Sequence, residues 1–308
     1  MDFKPIEFTD KNKISAHLAH TVSASPEYHA SELSFLTLFI WREAVKTHFA
    51  ESNGCLIIRY SPPNRGSHFL YPFGKGDKRA AIADIIAREP DACFLTLSAA
   101  QADELTHILP GYEASPVRDS FDYIYKTADL IDLQGKKYHS KKNHINAFFK
   151  AYPDYTYAPV TKDLALTCAE LYPKWFAAHP MSDNYFFQRE RDALLFVLNH
   201  FDSCDCRGGV LFTGAPSAEN ICAFTISQEL TPSTVLIHFE KADGNIRGAY
   251  PTVNNLHLRN EWADKLYVNR EDDAGLEGLR KSKTSYHPCF MVEKYSIKRS
   301  DTNENKKA

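Results

Sequence analysis

ICAFTISQELTPSTVLIHFEKADGNIRGAYPTVNNLHLRNEWADKLYVN, residues 221–269, contains two long β-type runs, a helical run and a short closing strand. ICAFTISQ (221–228) and TVLIHFEKA (234–242) are rich in Ile, Val, Thr and Phe and are separated by a turn carrying Pro232, so they predict neighbouring strands. GGVLFTG (208–214) predicts a third strand just upstream. YPTVNNLHLRNEWADK (250–265) predicts a helix and KLYVN (265–269) a final strand. Regular alternation along TVLIHFEKA would put Leu236, His238 and Glu240 on one face and Ile237, Phe239 and Lys241 on the other. Glu240 falls near the strand end, where a carboxylate can act as a general base or settle into an ion pair with a neighbouring cation.

The same style extends in both directions. YTYAPVT (155–161) predicts a strand, and LALTCAELYPKWFAAH (164–179) and RERDALLFVLNHF (189–201) predict helices. In the first half, ELSFLTLFIWREAVKTHF (32–49) predicts one buried helix, followed by strands at 54–60 and 67–74, a helix at 78–90, a strand at 92–98, a helix at 101–110 and a strand at 121–127. Strands and helices alternate throughout, which gives an α/β (α+β) class. The length of 308 residues suggests two domains, expected at 1–134 and 135–300, with a polar disordered tail at 301–308.

With 44% hydrophobic and 24% charged residues, the chain has the balance of a soluble globular protein. A formal net charge of -3 excludes a global basic field, so any polyanion site must be local. The N-terminal MDFKPIEFTDKNK lacks the apolar run of a signal peptide, and runs such as ALLFVL (193–198) are too short to cross a bilayer. Seven scattered cysteines make a poor disulfide framework, and Cys204 and Cys206 lack a second cluster at zinc spacing. These features predict a reduced, cytoplasmic protein with no metal site and no required cofactor. The G-x-S-x-G, H-E-x-x-H, G-x-x-x-x-G-K-[ST] and G-x-G-x-x-G motifs are all missing.

Two segments concentrate charge. QGKKYHSKKNHINAFFK (134–150) holds five lysines and no acid, with Lys137 and Lys141 one helical turn apart and Lys142 and Asn143 beside them. Either acids from elsewhere in the fold answer these cations, or a phosphate or RNA backbone does. NREDDAGLEGLRKSKTSYHP (269–288) opens on Asn269, Arg270, Glu271, Asp272 and Asp273 and continues as a helix that puts Arg280 and Lys283 on one face. The acids suit a turn and helix start, and the two cations suit one phosphate.

The order strand, two helices, three-strand meander, helix, strand resembles an acyltransferase domain of the GNAT type. GKKYHSKKNHINAFFKAYP, HFEKADGNIRGAYPTVNN and YVNREDDAGLEGLRKSKTSYHP, with SELSFLTLFIW and DSFDYIY, resemble the signature segments of the bacterial DUF2156 family. That family is similar to the C-terminal catalytic domain of phosphatidylglycerol lysyltransferase. The resemblance implies two tandem GNAT-like domains with mixed, mostly antiparallel sheets. It also implies transfer of an aminoacyl group from aminoacyl-tRNA to a hydroxyl or amine acceptor, either an anionic lipid head group or a small molecule. The shared C-terminal element carries a phosphate-holding role onto Arg280 and Lys283, with Tyr286 closing it. On this basis Glu240 is expected as the general base and Lys241 as an oxyanion stabiliser, with Lys137, Lys141, Lys142, Asn143, Asn269, Arg270 and Glu271 lining the substrate. The coenzyme A loop of simple GNAT enzymes, R/Q-x-x-G-x-G/A, is absent, which disfavours acyl-CoA as donor. An acyl-CoA-dependent N-acyltransferase and a non-catalytic binder of RNA or anionic lipid remain the alternatives. A site at the periphery of a membrane is compatible with any of these readings.

Overall fold

The computed structural model describes residues 1–25, 28–62 and 66–300. The expected tail at 301–308 lies outside the described residues. The chain divides into two units: Met1–Asp122 with Asp272–Leu276 and the chain from Val292, and Tyr123–Glu271 with Glu277–Met291. The chain therefore enters the second unit at residue 123 rather than near 134 and returns to the first unit twice. The division falls at the start of the strand Asp122–Lys126, so no linker composition marks it.

The first unit is built on strands β1 (Lys4–Pro5), β2 (Thr47–Ser52), β3 (Cys55–Tyr60), β4 (His68–Phe69), β5 (Cys93–Leu97) and β6 (Tyr112–Pro116). Its helices are α1 (Lys11–Ala24), α2 (Phe35–Ile40), α3 (Arg42–Val45), α4 (Lys78–Arg88) and α5 (Ala99–Ile108). The second unit contains β7 (Asp122–Lys126), β8 (Thr156–Pro159), β9 (Arg207–Phe212), β10 (Ile221–Thr231), β11 (Thr234–Ala242), β12 (Tyr267–Asn269) and β13 (Phe290–Val292). Its helices are α6 (Thr127–Asp132), α7 (His139–Ala151), α8 (Lys162–Ala177), α9 (Tyr185–Asn199), α10 (Ala249–Glu261) and α11 (Glu277–Thr284). The final strand, β14 (Tyr295–Arg299), returns to the first sheet.

Each unit has one seven-stranded sheet, ordered β1-β2-β3-β4-β5-β14-β6 and β13-β7-β12-β11-β10-β9-β8. β4 pairs parallel with β5 and β11 parallel with β12; the other reported pairings are antiparallel. In the first unit Ile57, Phe69, Ile82, Phe94, Leu105 and Ile297 form one core. In the same unit Lys294 is 1% exposed and donates to Asp122 (2.9 Å), Glu32 (2.8 Å) and Ser31 (3.2 Å). Burial pushes the Glu32 carboxyl up, while the two carboxylates hold Lys294 protonated against its own burial.

The single helix expected over 32–49 is instead two short helices followed by a strand. Ser34 caps α2 by accepting from the Thr37 N–H at 3.2 Å. Lys46, at φ 49, ends α3 in the left-handed region. Thr47–Ser52, with its β-branched and aromatic residues, then pairs antiparallel with β3 along its whole length.

A candidate transfer site in the second unit

The site forms where β11 and β12 run side by side. The expected alternation along β11 does not hold through its middle. Ile226 pairs with Phe239 and Ser227 with Ile237, so His238 is an extra residue, a β-bulge. Beyond the bulge the faces exchange. Val235 and Ile237 pack with Leu258 and Trp262 of the α10 layer, and Ala242 packs with Ala249 and Val253 of the same helix. Glu240, two residues from Ala242, therefore shares the α10 face with Ile237 rather than with Leu236. His238 is held in the bulge, its Nε2 3.4 Å from Gln228 Oε1 and its Nδ1 3.4 Å from Glu271 Oε1.

Glu240 forms an ion pair with Arg270, which follows β12; the two side chains are 11% and 12% exposed. The Arg270 Nη2 donates to Glu240 Oε2, while Glu240 Oε1 is buried with no hydrogen-bond partner among the described residues. Nε and Nη1 of Arg270 are likewise buried without an acceptor. Burial opposes the charge on Arg270, but Glu240, Tyr286 and Tyr125 more than offset it, so the guanidinium holds its proton more tightly than usual. A buried polar atom left without a partner costs free energy, so such atoms on both members of one ion pair suit a bound group.

Lys141 of α7 completes the cluster. Its Nζ lies 3.9 Å from the centre of the Tyr286 ring, and Arg270 reaches the same ring at 4.7 Å. No carboxylate among the described residues lies within ion-pair distance of Lys141. Burial, then the Arg270 charge, push its pKa down to about 8, and Glu240 only partly opposes this. Tyr286 is buried and its phenol is pushed up to about 12, chiefly by that burial. The core of the site thus holds two cations against one carboxylate.

The α10 helix is seated against α7 at Gly248, φ 87, where a Cβ would lie 2.3 Å from the His144 carbonyl oxygen. Only glycine fits this approach, and it fixes the helix that carries Lys141. On the far side of Arg270, Lys283 is 8% exposed and donates to the Arg270 carbonyl at 2.6 Å, while Tyr125 Oη donates to the Lys283 carbonyl at 2.8 Å. The Lys283 ammonium is thereby committed to the backbone that presents Arg270 and does not stand in the open with Arg280, which is half-buried on α11.

The other expected residues take varied positions. Lys241 points to the opposite face of β11 from Glu240 and is bound to Glu190 of α9 at 2.8 Å. It is not brought together with Glu240, because adjacent strand residues face opposite ways. Lys137 precedes α7 in a short 3-10 turn, and its Nζ lies 3.9 Å from Asp129, so an acid from α6 partly answers it. Lys142 and Asn143 are exposed on α7. Asn269 is fully buried, and its Oδ1 accepts from the Glu271 N–H at 2.6 Å, which turns the chain after β12 with Glu271 at φ 55. In the first unit, Asp273 accepts from the Gly275 N–H at 3.0 Å and pairs with Arg118 at 3.3 Å, so it braces a turn. The role of Lys141 was legible in the sequence only as a lysine on an acid-free segment.

The sequence profile described as "Phosphatidylglycerol lysyltransferase, C-terminal" matches residues 24–298. The chain belongs to that family. A Bacteroides thetaiotaomicron protein of unknown function is 32% identical, with a TM-score of 0.87 over 97% of this chain and 100% of that one. The structure called L-PGS from Bacillus licheniformis shares the fold, at 17% identity and a TM-score of 0.64 over 95% of this chain and 92% of that one. An uncharacterised protein of Mycoplasmoides gallisepticum is 25% identical over 228 residues, 68% of this chain and 71% of that protein. The family so described supports an aminoacyltransferase type of activity. Among the described residues no helix is long and apolar enough to cross a membrane.

Proposed function

We propose that this protein is an aminoacyltransferase that moves an aminoacyl group from aminoacyl-tRNA to a hydroxyl or amine, on a lipid head group such as phosphatidylglycerol or on a small molecule carrying a phosphate. The observation that carries this reading is the cluster of the buried Glu240–Arg270 pair with the half-buried Lys141, which has one cation in excess and unpaired polar atoms on both Glu240 and Arg270. A carboxylate oxygen without a donor suits the α-ammonium of the aminoacyl group. The free N–H groups of Arg270 suit the oxygen that becomes negative when the ester carbonyl is attacked. An aminoacyl ester is already activated, so holding it against an acceptor supplies much of the rate.

In this assignment Glu240 orients the donor, Arg270 stabilises the oxyanion and Lys283 fixes the backbone of Arg270. The exposed Lys142, with Lys137 and Arg280, lies along the phosphates of the RNA or of the head group. Lys241 acts at a distance, bracing β11 through Glu190. No cofactor takes part, and we place the protein in the cytoplasm, working on a soluble acceptor or at a membrane surface.

The test is filter binding of the pure protein to total charged tRNA across a salt series. Binding that weakens steeply with salt is expected, with the log–log slope falling by about 1 for each phosphate contact removed, as in Lys142→Glu. A complete lack of binding at low salt would remove the tRNA-borne donor and leave acyl-CoA to be tried.

A further inference from the structure

The transfer needs a group that can both take and give a proton. The attacking hydroxyl must lose one and the ribose oxygen of the tRNA must gain one. Arg270 is unsuited because a guanidinium stays charged. Glu240 is already bonded through Oε2 to Arg270. The buried His257 is committed to Ser227 (2.7 Å) and Tyr157 (3.1 Å), far down α10, and its burial holds it neutral. His287 contacts the Lys137 carbonyl at 3.1 Å, and His238 is locked in the bulge.

We infer that Lys141 is the proton carrier of the transfer site, a role that rests on the aminoacyl-transfer reading above. Its Nζ stands over the Tyr286 ring beside the Glu240–Arg270 pair, half-buried and without a carboxylate partner among the described residues. The groups that face it are Arg270 from the end of β12, Glu240 from β11 and Tyr286 after α11, with Lys137, Lys142 and His144 on its own segment. Burial and the neighbouring guanidinium weaken its hold on a proton to about pH 8, so both of its forms are present under working conditions.

The step balances within the site. The neutral amine takes the proton of the attacking hydroxyl as that oxygen bonds to the ester carbonyl carbon. The carbonyl π pair moves onto its oxygen, facing Nε and Nη1 of Arg270. On collapse the bond from carbon to ribose oxygen breaks, and the departing oxygen takes the proton back from Nζ. Lys141 ends as it began, and no outside acid or base is consumed.

The experiment measures single-turnover transfer from total tRNA charged with 14C-labelled amino acids. Phosphatidylglycerol micelles and glycerol 3-phosphate serve as acceptors, between pH 6 and 8.5. The wild-type rate is expected to climb towards a midpoint near 8. Lys141→Arg keeps the charge but cannot release a proton. It should lower the rate by about 100-fold or more and flatten the pH profile, with tRNA binding by filter assay within about twofold of wild type. An Arg variant within about threefold of wild type, with an unchanged profile, would show that Lys141 acts only as a charge and would overturn the inference.

A second measurement needs no donor: acetic anhydride labelling of the wild-type protein, read at Lys141 by peptide mass spectrometry across pH. A midpoint near 8 supports the proton carrier, and a midpoint near that of an ordinary lysine overturns it even if transfer is intact. Wild-type protein that transfers nothing to either acceptor overturns the donor reading, and the proton-carrier role falls with it. The labelling midpoint separates that failure from a failure of the inference alone.

Discussion

Replacing Arg270 with methionine leaves the Glu240 carboxylate, 11% exposed, without its partner on the α10 face of the second sheet. Removing one member of a buried pair costs about 3–5 kcal/mol, because the other charge stays desolvated. For a protein of this size that amounts to a fall in melting temperature on the order of 10 °C. The backbone is spared: Lys283 bonds the carbonyl of residue 270, and the N–H of residue 270 donates to Tyr123 O at 3.1 Å, whatever side chain stands there. Glu240→Met should cost a similar amount, since it strands the guanidinium. The double variant should return to within about 1 kcal/mol of wild type, because apolar groups of similar volume replace a buried pair at little cost. Urea unfolding followed by the fluorescence of Trp175 and Trp262, with thermal melts alongside, measures the cycle. A single-variant cost under about 1 kcal/mol, or a double variant as unstable as the sum of the singles, would refute a buried, mutually dependent pair.

The remaining predictions address the surroundings of the site. Lys141→Met should stabilise the protein at pH 7: the folded pKa of about 8 lies below the ordinary 10.5, so the unfolded chain binds more protons between these values. Wild-type stability therefore rises with pH across that window, and the gain from the variant should shrink by pH 10 in urea melts; a destabilised variant would contradict the unpaired, desolvated ammonium. Gly248→Ala forces a left-handed residue and a Cβ 2.3 Å from a backbone oxygen, so it should cost at least about 2 kcal/mol by thermal melting. In the first unit, Lys294→Met removes the cation from the fully buried Asp122, which keeps the Ser31 N–H (2.8 Å) and hydroxyl (3.3 Å), and should cost about 3–5 kcal/mol; a loss under about 1 kcal/mol would mean that the neutral donors suffice for the carboxylate.

Much of the architecture was legible because each unit is rich in long, well-patterned elements. The meander of β9, β10 and β11, the α10 helix and β12 were readable from Ile, Val and Phe spacing and from turn residues alone. Some strands were not legible from local pattern: β2 although its partner β3 comes next in the chain, and β14 because its partners lie far from it. β2 hides in an apolar run that reads as helix until Lys46 turns left-handed, and β14 joins the first sheet from the far end of the chain. The candidate site was half legible. Glu240 and Arg270 each stood out as chemistry-bearing residues, yet the bulge at His238, which sets the face Glu240 occupies, leaves no local sequence pattern. Lys241 read as the oxyanion stabiliser and Lys141 only as a residue lining the substrate, whereas Glu190, supplied by a helix some fifty residues earlier, holds Lys241. Lys283 and Arg280 looked like a matched pair on a helix face, whereas burial commits Lys283 to a carbonyl. Desolvation of this kind depends on what the whole fold packs around a residue and cannot be seen in the residue's own neighbourhood along the chain.

The measurement that bears most directly on aminoacyl transfer follows label itself. Total tRNA charged with 14C-labelled amino acids is incubated with the protein and with phosphatidylglycerol or glycerol 3-phosphate, and products are separated by thin-layer chromatography. Aminoacyl transfer predicts a labelled product with at least one amino acid and one acceptor, reduced by about 100-fold or more in Arg270→Lys, which retains charge but loses the fork of donors. No transfer of any amino acid to either acceptor, with label moving from an acyl-CoA instead, would contradict it.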